Sequence, residues 1–148
     1  MEFNDLIADF ATRHKVDNLV AIDGAAALDI DGIIVTIVAN EDVLTFSAEI
    51  GEPPAEGAAA FADILLEANL NSEAFFAKAP KSEAYILVRR LSLASLDGRA
   101  FDDSLAAFVN LAETWRRLLS DFRPVAKAAA ERAAKESPSF GSTDFMQV

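Results

Sequence analysis

Ile64-Leu65-Leu66-Glu67-Ala68-Asn69-Leu70 and, fifteen residues on, Tyr85-Ile86-Leu87-Val88-Arg89-Arg90-Leu91-Ser92-Leu93 decide the fold. The first run closes a segment of strong helix formers that starts near Ala55 and carries Phe61, Ile64, Leu65 and Ala68 on an apolar face. Asn69 to Ser72 cap it. The second run is apolar on both faces around Ile86, Leu87 and Val88, which predicts a strand over residues 84–93 covered on both sides, one of them by a second copy of the chain. Downstream, Phe101, Leu105, Phe108, Ala112, Trp115, Leu119 and Phe122 recur at spacings of three and four. That stripe predicts an amphipathic helix reaching Phe122, with Asp102 or Asp103 as its N-cap.

Upstream the pattern is a helix and then strands. Phe3, Leu6, Ile7 and Phe10 sit at helical spacing, opposite Glu2, Asn4, Asp5, Asp9 and Arg13. Asp31-Gly32 separates the apolar runs 27–30 and 33–38, a hairpin signal because both turn positions tolerate positive φ. Leu44, Phe46, Ala48 and Ile50 alternate with Thr45, Ser47 and Glu49, as in a strand with one wet face. Gly51-Glu52-Pro53-Pro54 ends this three-stranded antiparallel meander.

At 148 residues the chain fits one domain, a size that buries roughly two thirds of its unfolded surface. No stretch approaches the roughly 18 uninterrupted apolar residues of a membrane span. Met1-Glu2-Phe3-Asn4-Asp5 has neither the basic region nor the apolar block of a secretory signal, which predicts a cytoplasmic protein. Without cysteine there is no disulfide framework and no thiolate metal site. A net charge of -11 with no long basic block argues against nucleic acid and anionic membranes and for protein partners.

Catalytic signatures are missing from the pattern. His14 is the single histidine, and no serine stands in a strand-to-helix nucleophile setting to pair with it. A histidine at the end of the first helix instead favours that helix's C-terminus. Asp29-x-Asp31-Gly32 resembles the start of a calcium loop, but Asn40 stands where the twelfth-position Glu would be, so a hairpin turn explains it. The six glycines form no phosphate loop. No enzyme activity, cofactor or metal is expected.

In its order of elements the chain resembles the small dimeric type III secretion chaperones of the Tir-chaperone type, from about residue 3 to 122. The residues that carry the likeness are Leu65-Leu66-Glu67-Ala68-Asn69-Leu70, the strand Ile86 to Leu93, and the helix from Phe101 through Trp115. The resemblance implies an α+β homodimer: helix, three-stranded antiparallel meander, helix, two further strands, C-terminal helix. It further implies a cytoplasmic chaperone that binds the extended N-terminal segment of a secreted effector, with short helices and an added strand, and keeps it soluble and export-competent. A dimeric adaptor or regulatory module that binds a folded partner is the alternative with the same build.

On that reading, residues 1–123 form the chaperone-like domain and 124–148 an Ala- and Lys-rich helical extension with a flexible tail, ending Phe145-Met146-Gln147-Val148. The dimer interface is expected to use the strand 84–93 with the second helix, Ile86 and Val88 being the candidate residues. Effector binding is expected at Leu6 and Phe10 of the first helix and at Ile34, Thr36 and Val38 of the second strand. Ile33, Val35 and Ile37 fill the core, which leaves Ile34 and Val38 apolar on the other face with no assigned cover.

Overall fold

The computed structural model describes residues 2–124; the extension and tail expected over 125–148 lie outside the described residues. Helix α1 (Phe3–His14) precedes strands β1 (Ala25–Ile30), β2 (Ile33–Asn40) and β3 (Val43–Gly51). Helix α2 (Ala58–Ala68), strands β4 (Ala74–Lys78) and β5 (Tyr85–Ser92), a short 3-10 turn (Leu93–Ser95) and helix α3 (Gly98–Asp121) follow. The strands form one sheet in the order β1-β2-β3-β5-β4, with every neighbouring pair antiparallel. This is the α+β architecture expected from the sequence.

Period-2 alternation sorts the sheet into two faces, as anticipated for β2 and β3. Ile33, Val35 and Ile37 are buried, as are Leu44, Phe46, Ala48 and Ile50, while Ile34, Thr36 and Val38 point the other way. The Asp31-Gly32 turn has positive φ at both residues (53° and 88°), the conformation that suits a tight hairpin, and Asp29 Oδ1 accepts the Gly32 N–H at 2.9 Å. The turn thereby fixes the register of β1 on β2, pairing Leu28 with Val35.

All three helices contribute to one core with the inward face of the sheet. Phe3, Leu6, Ile7 and Phe10 of α1 are buried there, with Phe61 and Leu65 of α2. Helix α3 reaches two aromatic groups. Near its start, Phe101 packs edge-on against Phe10 and Phe46 with ring centroids 5.5 and 5.8 Å apart, and Phe108 lies 5.5 Å from Phe46. Further along, Trp115 meets Phe76 at 4.8 Å and Phe61 at 6.4 Å, and Phe122 just beyond the helix meets Phe61 edge-on at 5.1 Å. A helix of 24 residues is about 36 Å long, enough to tie both groups together.

The start of α3 differs from the sequence expectation. Its N-cap is Asp97, whose Oδ1 accepts the Ala100 N–H at 2.8 Å, and the helix begins at Gly98 instead of after Asp102 or Asp103. From sequence Asp97-Gly98 reads as a turn, because Asp and Gly favour turns as well as helix N-caps. Starting earlier brings Asp102 round to face α1, where it has another partner.

Candidate functional site

Because the helices share one face of the sheet, the opposite face carries no covering element among the described residues. Its composition follows from the register. One row crosses the whole sheet as Ala27, Thr36, Ser47, Val88 and Phe75; the next contains Asp29, Ile34, Glu49, Ile86 and Ala77. Ile34 is 60% exposed and Val38 is also open, so Ile34, Thr36 and Val38 form an accessible row on β2 as the sequence pattern suggested. A shallow depression of about 440 Å³ lies at the Gly32 end of this face, lined by Ile34, Thr36, Ser47, Glu49, Ile86 and Arg116. Arg116 reaches it from α3 and donates to the Gly32 carbonyl at 3.2 Å.

Leu6 and Phe10 are elsewhere. Both are buried in the core between the sheet and α3, Phe10 against the Phe101 ring, so neither is open to a partner in this arrangement. The stripe that the sequence offered as a docking face is the one that holds α1 on its own domain. The two residues named for a dimer contact also separate: Ile86 is half-buried beside the depression, whereas Val88 is only 7% exposed. Val88 stands opposite Phe75 on β4, and the Arg90 guanidinium lies 5.4 Å from the Phe75 ring centroid.

The sequence reading gives the second helix a part in the dimer interface without naming its exposed residues. Ile64, Leu66 and Leu70 at the end of α2 are exposed, Leu66 by 65% and Leu70 by 82%. Of these, Leu66 borders a groove of about 210 Å³ that Ala62, Leu65, Asn69, Phe76 and Tyr85 also line. The signal was available in Ile64-Leu65-Leu66, because three consecutive apolar residues in a helix cannot all face one core.

Polar chemistry concentrates between α1 and α3. Arg13 donates to Asp102 through both terminal nitrogens, Nη2 to Oδ1 at 3.0 Å, and its Nε donates to Asp9 at 2.8 Å. His14 Nε2 lies 2.9 Å from Asp102 Oδ2. Hydrogen bonds from Arg13 hold the Asp102 carboxyl below the usual carboxylate range, against the opposing effect of partial burial and with help from His14; Arg13 is held correspondingly above its ordinary value. These charges face one another across two helices and form a clamp. Among the described residues no group of His, Cys, Asp or Glu is arranged to hold a metal ion, and no helix is long and apolar enough to cross a membrane.

Comparison with known structures places this geometry. SycH, the Yersinia pestis type III secretion chaperone solved with a stable fragment of YscM2, matches with a TM-score of 0.62 and 23% identity, over 77% of this chain and 99% of that one. The ExsC–ExsE complex matches at 0.68 and 24%, over 84% and 95%. The ExoT–SpcS complex of Pseudomonas aeruginosa matches at 0.59 and 17%, over 76% and 95%. At these identities the likeness establishes the fold. A comparison with curated protein sequences finds no match. The family model described as "Tir chaperone protein (CesT) family" matches residues 5–116, most of the described chain, and the protein therefore belongs to the Tir chaperone protein (CesT) family.

Proposed function

We propose that the protein is a cytoplasmic type III secretion chaperone that holds the extended N-terminal segment of an effector soluble and export-competent. The observation that carries this reading is the family match across residues 5–116. SycH, ExsC and SpcS were each solved in a complex with a protein partner, which supports binding as the activity. The outer face of the sheet suits that task. It offers exposed Ile34 and Val38 beside hydroxyls of Thr36, Thr45 and Ser47, a surface that can take apolar side chains while staying soluble. Binding energy alone suffices to hold a segment unfolded.

The working form is a homodimer. Exposed Leu66 on α2 and Leu70 just beyond it supply its apolar contact, in keeping with the part the sequence reading gives the second helix. Residues 1–123 constitute the chaperone domain, as the sequence reading has it.

Co-expression with the effector tests the reading. The protein should retain the effector through its N-terminal residues, and that segment should lack independent tertiary structure by NMR while bound. Ile34→Lys should weaken retention with native circular dichroism. Lysine is preferable to aspartate here because Ile34 pairs directly with Asp29, and a second carboxylate opposite it would disturb the fold as well as the surface. Retention of a partner that is folded on its own would favour the adaptor reading instead.

A further inference from the structure

The outer edge of β4 is closed at its centre and its start by side chains of its own chain. Ala79 N–H donates to the Ala84 carbonyl at 2.9 Å, continuing the β4–β5 register. Antiparallel alternation then turns the backbone groups of Ala74, Phe76 and Lys78 away from β5, towards the free edge. At Phe76 both groups are taken by one residue. Its N–H donates to Asn69 Oδ1 at 2.7 Å, and Asn69 Nδ2 donates back to its carbonyl at 3.3 Å. The carboxamide thus imitates the residue of an added strand. Ala74 N–H is also occupied, donating to Ser72 Oγ at 3.2 Å.

We propose that Asn69 is an edge guard, and that the contact it prevents is antiparallel pairing of β4 with β4 of a second copy. Ala74-Phe75-Phe76-Ala77 is uncharged, β-prone and at the end of a sheet, the kind of segment that pairs with itself. A two-fold axis at Phe76 would place Ala74 opposite Lys78 of the other copy and Phe76 opposite its own equivalent. The two Phe76 residues would exchange both hydrogen bonds at the centre of the ladder, the pair of groups that Asn69 holds. The charges that flank the segment are a weak barrier, since Glu73 is paired with Arg89 at 2.9 Å and Lys78 with Glu83 at 3.0 Å. At the other edge of the sheet, β1 has no such guard: Ile22 bonds Ala25 in both directions, and among the described residues nothing bonds the outward backbone groups of Ala27 and Asp29.

The test is Asn69→Ala in the full chain, followed by light scattering across a concentration series and by amide exchange at Phe76. With the carboxamide gone, the Phe76 amide should exchange about tenfold faster in dilute protein, the loss of one hydrogen bond. The mass should then climb to twice the wild-type value as concentration rises, with Phe76 protected again. Adding Ala77→Lys, an exposed position on the same strand, should return the wild-type mass. If Asn69→Ala does not fold, Asn69→Ser removes the same reach with a residue that tolerates the end of a helix. A mass equal to wild type at all concentrations overturns the proposal, even if Phe76 exchanges faster, because Asn69 would then be a local strut only. A larger mass that Ala77→Lys does not reverse overturns it as well, since association would run through another surface.

Discussion

In the proposed homodimer Leu66→Ala should separate self-association from folding, and the size of its effect follows from the exposure of Leu66 on α2. Fully burying a leucine is worth about 1.5–3 kcal/mol, so covering the 65% of Leu66 that is open gives roughly 1–2 kcal/mol. A two-fold interface uses the residue in both copies, about 2–4 kcal/mol per dimer. At about 1.4 kcal/mol per decade, Leu66→Ala should raise the dimer dissociation constant roughly 30- to 700-fold. The monomer should hardly notice, because alanine is the best helix former and an exposed substitution usually shifts stability by less than about 0.5 kcal/mol. Sedimentation over a dilution series measures the first quantity and urea unfolding under monomeric conditions the second. A dissociation constant within about threefold of wild type would show that nothing covers Leu66. A large loss of monomer stability would assign the residue to the core and remove α2 from the interface.

Three further outcomes are expected. Phe46→Ala, at a fully buried position where two aromatic rings of α3 converge, should cost about 3–5 kcal/mol in urea unfolding. Asp102→Asn should lower the melting temperature at pH 7. Because the Asp102 pKa is depressed in the folded state, the stability it adds is complete above the ordinary carboxylate range and disappears as pH falls through its lowered value. The melting-temperature gap between wild type and Asp102→Asn should therefore close on acidification, and a gap that persists at low pH would refute the clamp. A chain ending at Pro124 should melt within a few degrees of the full chain, whereas Phe122→Ala should melt lower, since Phe122 packs on Phe61 and fills the space beside Gly57.

Local periodicity made much of this fold legible. Alternation in β2 and β3 assigned each side chain to its face, and the Phe101-to-Phe122 stripe gave the long helix, because both signals depend only on residues a few positions apart. Long-range partners were less accessible. Leu6 and Phe10 form an amphipathic stripe whether it meets the protein's own sheet or another chain, and the sequence does not say which comes first. Asp102 looked like a cap because its partners Arg13 and His14 lie at the other end of the chain. Asn69 reads as a helix stop, which it is; its hold on Phe76 depends on how α2 hands over to β4.

The strand order has a consequence for how the protein is made. β5 inserts beside β3, so the centre of the sheet joins residues 43–51 to residues 85–92, while the meander before them pairs locally. During synthesis β1, β2 and β3 can assemble as soon as they emerge, but the inner edge of β3 then stays unpaired while more than thirty further residues are added. Closing that gap is the non-local step, and such steps set folding rates because chain entropy is lost before the contact forms. At synthesis rates of about 5–20 residues per second the edge is open for a few seconds on every ribosome. The nascent chain therefore passes through a state with an open central sheet edge, which the finished fold closes with β5.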